Sequence, residues 1–195
     1  MDHDAPYYLR QPPVPGEERF ASLALVNTRF EISHGPVDLL EDTEAAHLWL
    51  VRHGLLADPV TLTGRQLGTL RTLREALRDL FAAHETHATP PAASLRALNA
   101  ALATAPPTPR LTWGAEGPRR ADEPDTGNPA GAALSLLADD GTELLTGPEA
   151  ALLAECGARG CARWFLRSHA ARRWCTTRCG NRVRAARHYA ARKGQ

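Results

Sequence analysis

All four cysteines of the chain lie in two short stretches, Cys156-Gly-Ala-Arg-Gly-Cys161 and Trp174-Cys175-Thr-Thr-Arg-Cys179. The first pair encloses four residues, the second pair encloses three, and thirteen residues separate the pairs. Two cysteines a few positions apart can turn both sulfurs toward one point, and thirteen residues allow one hairpin that returns the second pair to the first. We therefore predict one structural zinc ion in a closed site of four thiolates: Cys156, Cys161, Cys175 and Cys179.

Two disulfides, or four unrelated buried thiols, would be the alternative use of these cysteines. Residues 1–11 have no apolar run and do not resemble a secretory signal, which predicts a cytoplasmic protein, where disulfides are rare. Residues 151–195 are also too polar to build an apolar core of their own. A metal ion is the stronger explanation because it can hold together a small segment that lacks such a core.

Charge is divided unevenly along the chain, although the net charge is only +1. Residues 151–195 contain eleven Lys and Arg but one acidic residue, whereas residues 1–150 contain twelve basic and twenty-one acidic residues. Such asymmetry predicts a basic segment that binds a polyanion, attached to an acidic body. No apolar stretch approaches the roughly 20 residues that span a bilayer, so we expect no membrane association.

The sequence predicts an α+β protein of two domains. A helix-rich domain with a small antiparallel sheet is predicted over residues 1–150, with residues 1–19 as an extended Pro-rich leader, before a four-cysteine zinc finger over residues 151–195. The longest predicted helix covers Gly64–His87 after a capping Thr63. Shorter helices are predicted over residues 45–53, 94–104 and 134–145, and a small β-hairpin over residues 110–129. The charged residues predicted on the solvated face of the longest helix are Arg71, Arg74, Glu75, Arg78 and Asp79.

Within the finger, Ala162–Arg167 and Arg172–Trp174 are predicted as the two strands of a hairpin, joined by a turn at residues 168–171. The second cysteine pair is predicted on a turn that leads into a helix over Gly180–Arg192. The last ligand then lies near a helix N-terminus, whose dipole stabilises a thiolate and a phosphate alike. The predicted inward face of this helix consists of Val183, Ala186 and Ala190.

Basic side chains of the finger form the predicted nucleic-acid surface. Arg greatly outnumbers Lys here, and its planar guanidinium pairs bidentately with phosphate or with guanine. A GC-rich coding bias would explain Arg in place of Lys, but it does not explain why acidic residues are nearly absent only in this segment. The predicted contacts are Arg172, Arg173, Arg182, Arg184, Arg187, His188 and Arg192.

The sequence contains no catalytic motif, so we do not expect an enzyme. Neither an H-E-x-x-H motif, a nucleophile elbow nor a phosphate-binding Gly loop is present. His84 and His87 could share a metal, but such a pair is more often the polar end of a helix. Asn27 and Thr28 have two explanations: a polar pair that lines a ligand-binding pocket, or a helix end with local side-chain bonds.

The stretch Cys179-Gly180-Asn181-Arg182, preceded by Arg172-Arg173-Trp174-Cys175, resembles the CGNR-type zinc finger. In that family the finger resembles a treble clef and follows an ABATE domain in bacterial transcription regulators. Leu23–Thr28 resembles the opening segment of that domain. The resemblance implies that the partner of the basic helix is DNA in preference to RNA. One helix rarely supplies operator specificity, so we also expect a homodimer or a second DNA-binding partner. The N-terminal domain is expected to bind a small-molecule effector or to pair protomers.

Two alternative functions rest on the same residues. A basic finger could dock on an acidic protein, including the acidic domain of a second copy, which would make the protein an adaptor. Four thiolates flanked by arginines could instead release zinc on oxidation and act as a redox or zinc sensor. Binding to duplex DNA tests the first alternative against the regulator, and zinc release by mild peroxide tests the second.

Overall fold

The computed structural model describes residues 12–32, 35–57 and 60–193, which form helices and three antiparallel strand pairs. The helices are α1 (Ala21–Val26), α2 (Thr43–Arg52), α3 (Gly64–Thr86), α4 (Ala92–Leu102), α5 (Pro129–Thr146) and α6 (Thr177–Lys193). The strands are β1 (Arg29–Ile32), β2 (Gly35–Asp38), β3 (Thr108–Gly114), β4 (Gly117–Glu123), β5 (Leu153–Glu155) and β6 (Trp164–Leu166). The predicted α+β class, with a helix-rich N-terminal region, is confirmed.

The long helix α3 lies at the centre of the N-terminal region. Thr63 begins it with a capping box, in which Thr63 Oγ1 accepts the Gln66 N–H and Gln66 Oε1 accepts the Thr63 N–H at 2.8 Å. Its apolar residues recur at helical spacing, so α3 packs against α1, α2, α4, α5 and β5. The helix ends at Thr86 because His87 adopts the left-handed conformation, with φ of 53°.

Gly141 lies where α5 packs against α3 and α1. A glycine inside a helix costs about 1 kcal/mol relative to alanine, yet residues 129–146 form one continuous helix. A Cβ at position 141 would lie 2.4 Å from Leu77 Cδ2 and 3.4 Å from Ser22 Cβ. A larger residue here would therefore force the fully buried Leu77 side chain to shift.

Gly141→Ala is expected to lower the free energy of unfolding by about 1–3 kcal/mol, because overpacking outweighs the gain in helix propensity. Gly68→Ala is the matched control, since a Cβ at that position of α3 meets no atom within 4 Å. The control is expected to raise the free energy of unfolding by about 0.4–1 kcal/mol. Urea unfolding followed by circular dichroism measures both changes, and equal effects would contradict the close approach at Gly141.

The main hydrophobic core contains residues from both predicted domains. Leu153, Trp164 and Leu166, which belong to the predicted finger, are buried in the same cluster as Leu25 and Phe81 of the N-terminal region. The Trp164 and Phe81 rings meet edge to face, with centroids 5.7 Å apart. Apolar packing therefore continues across residue 150, where the sequence placed the domain boundary.

Residues 12–19 differ from the predicted extended leader. They form a turn in which Gly16 has φ of +102°, and Val14 is only 1% exposed, packed in the same cluster as the cysteines. The Pro15 carbonyl accepts the Leu166 N–H at 2.8 Å. A Pro-rich segment has neither helical nor alternating periodicity, so its burial depends entirely on these distant contacts. Residues 1–11 of the predicted leader lie outside the described residues.

The hairpin of the finger uses a different partner strand from the predicted one. Strand β6 lies within the predicted first strand, but it pairs with β5, which precedes the first cysteine. Residues 172–174 form no strand, and the Arg173 carbonyl instead accepts the Gly157 N–H at 3.0 Å. The prediction failed because Leu153 and Ala154 give β5 a buried apolar surface that the Arg172-Arg173 pair cannot supply.

Two further hairpins belong to the N-terminal region. Strands β3 and β4 confirm the predicted hairpin, which is largely exposed, with Leu111 and Trp113 more than 70% accessible. Strands β1 and β2 were not predicted, because four residues each are too few to show alternation. Among the helices in the described ranges, none is long and apolar enough to cross a membrane.

Candidate metal centre

The fold brings all four cysteines together. Their sulfur atoms lie within 4.8 Å of one another, with Cys175 Sγ 3.8 Å from Cys161 Sγ and 3.7 Å from Cys179 Sγ. None of the four is joined in a disulfide. Four sulfurs at about 2.3 Å from a tetrahedral zinc ion would be about 3.8 Å apart, so the donor set and its spacing fit one zinc ion.

The two cysteine pairs are delivered by different elements. Cys156 and Cys161 lie in the loop that joins β5 to β6, where Gly160 has φ of +70° and the Cys161 N–H donates to the Ala158 carbonyl at 2.9 Å. Cys175 precedes α6, and Cys179 lies in its first turn. The last ligand therefore lies at a helix N-terminus, where the dipole stabilises a thiolate.

Hydrogen bonds among the sulfurs lower the pKa of two of the thiols and raise the pKa of the other two. Bonds from the Cys161 and Cys175 thiols lower the pKa of Cys156 to about 6. Bonds from Cys156, Cys161 and Cys175 likewise lower the pKa of Cys179. The pKa values of Cys161 and Cys175 are raised, first because each donates to Cys156. Zinc requires four thiolates, so its binding must displace protons from Cys161 and Cys175.

A mostly apolar shell encloses the cysteines. Val14, Ala158 and Phe165 are buried against them, and Trp174 and Val183 are partly buried on the same cluster. Such a shell limits the access of water, and four thiolates fill a tetrahedral site completely. These properties are those of a structural zinc site.

Two of the arginines predicted to contact nucleic acid, Arg172 and Arg182, also support this site. The Arg172 guanidinium donates to the carbonyls of Trp174 at 3.1 Å and Cys175 at 2.8 Å, and it lies over the Phe165 ring. Arg182 Nη2 lies 3.9 Å from Cys179 Sγ, where its charge offsets that of a thiolate. Arg172 thus holds the backbone at Cys175, and Arg182 contacts a ligand directly.

Helix α6 is less buried than predicted. Val183 packs on the cysteine cluster, but Ala186 and Ala190, the rest of the predicted inward face, are exposed. Every residue from Arg184 to Arg192 is exposed, because the helix extends beyond the cluster on which Val183 packs. The predicted nucleic-acid residues that are exposed are Arg173, Arg182, Arg184, Arg187, His188 and Arg192, whereas Arg172 is partly buried.

Asn27, at the end of α1, binds the finger. Its Oδ1 accepts the Trp164 N–H at 2.8 Å, and its Nδ2 donates to the Trp164 carbonyl at 2.8 Å and to Glu17 Oε1 at 2.6 Å. Asn27 is only 5% exposed. Asn27 ends α1 and, with Thr28, lines a cavity, but neither explanation offered by the sequence included these long-range bonds.

Thr28 belongs to a buried polar group around Arg74. Thr28 Oγ1 donates to the Leu25 carbonyl at 2.7 Å, a local bond of the predicted kind, and accepts Arg74 Nη1 at 3.0 Å. Arg74 is only 3% exposed, which corrects its predicted place on a solvated face, and it forms two bonds to Asp38 at 2.5 and 2.7 Å. Burial raises the pKa of Asp38, but the bonds from Arg74 outweigh this, so the pKa lies below its ordinary value.

Two further arginines fasten the finger to the N-terminal region, a role that the sequence did not indicate. Arg163 is 7% exposed and donates to the Pro12 carbonyl at 3.1 Å and to Glu17 at 3.2 Å. Arg78 of α3 donates to the carbonyls of Ala162 at 2.9 Å and Val26 at 2.6 Å. Their partners are distant in sequence, so periodicity could not distinguish these arginines from surface residues.

The histidine pair considered as a second metal site does not form one. His84 Nε2 lies 2.9 Å from the Ala150 carbonyl, and His87 is the exposed residue that ends α3. Within the described ranges, the four cysteines are the one group of three or more His, Cys, Asp or Glu side chains placed to hold a metal.

Two family models match the chain. The ABATE model, described as "Putative stress-induced transcription regulator", matches residues 21–148, and the CGNR zinc finger model matches residues 153–192. No curated protein matches the chain. The second match contains all four clustered cysteines, and together these findings confirm the predicted single structural zinc. The first match covers more than half of the sequence, and on this ground the chain belongs to the ABATE family, here followed by a CGNR zinc finger.

Proposed function

We propose that the protein is a cytoplasmic transcription regulator that binds DNA through α6. The family description supports a regulatory role, and the exposure of α6 supports DNA as the partner. Residues 184–192 are exposed and include three arginines but no acidic residue. Like charges three or four positions apart, such as Arg184 and Arg187, destabilise a helix by about 0.2–0.5 kcal/mol, and a polyanion would remove this repulsion.

The placement of α6 also suits a recognition helix. Its first turn is fixed by Cys179 and by the packing of Val183, so the basic part extends from a rigid base. The DNA major groove, about 12 Å wide, admits an α-helix. The first cysteine pair lies in a hairpin loop, and the second pair lies at the start of a helix. From this arrangement we propose that the finger resembles a treble clef.

The remaining parts of the proposal concern assembly and control. One helix offers few base contacts, so we propose that two copies of the protein bind DNA together. The N-terminal region would supply the contact between copies or the response to an effector, and catalysis has no part in the proposal. Burial of Cys156, Cys175 and Cys179 favours a structural role over a redox role, since reactive cysteines are partly exposed.

Replacing Arg184, Arg187 and Arg192 with alanine is expected to weaken DNA binding and to flatten its dependence on salt. For each phosphate that the variant no longer neutralises, the slope of log affinity against log salt should become shallower by about 0.9. Arg182 is left intact because it contacts Cys179 Sγ. Fluorescence anisotropy of the zinc-loaded protein with a mixed-sequence duplex, over about 50–200 mM salt, measures both changes.

The matched control removes the same charge from exposed arginines of the N-terminal region: Arg65, Arg96 and Arg120. The control variant should retain the wild-type slope. Equally weakened binding in the two variants would assign the effect to net charge and contradict a role of α6. A wild-type protein that does not bind duplex would contradict the regulator and favour the adaptor, in which the finger docks on an acidic protein.

A further inference from the structure

A cavity of about 420 Å³ lies between the turn at residues 12–19, the end of α1, the end of α2 and the finger. Its lining residues include the apolar Phe30, Leu39 and Trp49 and the basic Arg52 and Arg163. Small-molecule sites typically combine a volume of about 300–1,000 Å³ with apolar walls and a few polar groups. The cavity therefore has the size and lining of a ligand site.

The polar groups of the wall leave hydrogen-bond donors unused. The Nη atoms of the buried Arg163 bind the Pro12 carbonyl and Glu17, and its Nε is enclosed by protein atoms. The exposed Arg52 side chain has no hydrogen-bond or ion-pair partner in the described part of the chain. Its free guanidinium gives this side of the cavity a positive charge, which suits an anionic acceptor.

The acceptors of the wall are mostly occupied. Glu17 accepts Asn27 Nδ2 at 2.6 Å and Arg163 Nη2 at 3.2 Å, and its charge is thereby paired. Glu18 accepts the Gly16 N–H through one oxygen, and its exposed side chain is screened by solvent. Neither carboxylate forms an ion pair with Arg52, so the Arg52 donors remain available to a ligand.

The apolar wall includes aromatic surfaces. The Trp49 ring lies against the His53 ring, with centroids 4.2 Å apart, and Phe30 is 5% exposed. Burial, assisted by the nearby Arg52, lowers the pKa of His53, which favours its uncharged imidazole. A flat hydrophobic ligand can pack on such aromatic surfaces.

We propose that this cavity binds a small aromatic carboxylate. The carboxylate would accept from Arg52, and the ring would pack against Trp49 and Phe30. Because Arg163 lines the cavity and also holds the finger through Glu17, the ligand would lie beside a residue that joins the two parts of the protein. Binding of the carboxylate does not depend on the proposed function. Only an effect of the bound carboxylate on DNA affinity would rest on that function.

Isothermal titration of the zinc-loaded full chain with three probes of the same shape tests the proposal. The probes are phenylacetate, its neutral amide phenylacetamide, and the cation phenethylammonium. A probe of this size should bind with a Kd of about 1 mM or tighter if it fits. We expect phenylacetate to bind and the other two to bind at least about tenfold more weakly, because only the anion forms charge-assisted bonds.

Arg52→Gln should raise the Kd of phenylacetate about tenfold or more, while Arg96→Gln, an exposed arginine on α4, should leave it unchanged. In nuclear magnetic resonance spectra, the arginine Nε–H signal that Arg52→Gln removes should shift with phenylacetate and not with the amide. Equal binding of the three probes, equal effects of the two variants, or no binding would each overturn the proposal. If the chain binds phenylacetate but not DNA, the proposed ligand site stands and the proposed regulator function does not.

Discussion

Cys175→Ser is expected to abolish stoichiometric zinc binding and to lower the thermal midpoint of the whole chain, N-terminal helices included. Zinc holds the cluster in which Val14 and Phe165 are buried, and the neighbouring Trp164 is part of the main core. A metal present at a thousandfold excess over its Kd contributes about 4 kcal/mol to stability. We therefore expect the free energy of unfolding to fall by at least about 4 kcal/mol. Circular dichroism melting measures the thermal midpoint, and a zinc assay measures the metal content.

Arg159→Ala is the matched control for this experiment. Arg159 is exposed in the loop between Cys156 and Cys161, so its removal should leave zinc content and thermal midpoint unchanged. Chelation of zinc from the wild-type protein should reproduce the behaviour of Cys175→Ser. N-terminal helices that melted at the wild-type temperature without zinc would show that the finger and the N-terminal region are energetically separate.

Asn27→Ala is expected to lower the free energy of unfolding by about 2–4 kcal/mol. The substitution leaves the Trp164 N–H and carbonyl without their buried partner, and each such unpaired group costs about 1–3 kcal/mol. Asn27→Asp should be at least as damaging, because it replaces the amide donor with a second carboxylate beside Glu17. Urea unfolding of the three proteins measures these differences.

Asn99→Ala provides the comparison for Asn27→Ala. Asn99 is an exposed residue of α4, and its replacement should change stability by no more than about 0.5 kcal/mol. Equal stability of the two variants would mean that the Asn27 amide does not fasten the finger. A zinc-loaded Asn27→Ala protein with normal stability but altered ligand binding would instead favour the pocket explanation of that residue.

The features that the sequence predicted well are those that local spacing determines. The cysteine intervals indicate that the four residues share one metal ion. Thr63, with the apolar repeat that follows it, marks the start of α3. A helix was also predicted to follow the second cysteine pair from Gly180, and α6 extends over that range but begins earlier, at Thr177. In each case, the residues that form the feature are neighbours in the sequence.

The features that the sequence did not reveal depend on partners far along the chain. Strand β5 has three residues, too few to show a period, and its pairing with β6 is decided by burial against the core. Arg74 and Arg163 look like surface cations until Asp38 and Glu17 are placed beside them. Val14 is a single apolar residue among prolines, and only the folded finger covers it.

The contact between residues 12–19 and the finger has a consequence for synthesis in the cell. A ribosome makes Val14 and Glu17 well before Arg163 and Trp164, so a growing chain presents the first two without their partners. Phe81 likewise lacks the Trp164 ring, against which it packs in the folded protein, until that residue is made. Unfinished chains therefore expose apolar surface of the kind that promotes aggregation and recruits chaperones. We expect the completed finger to close the fold when it captures zinc, so the yield of native protein should fall when zinc is scarce.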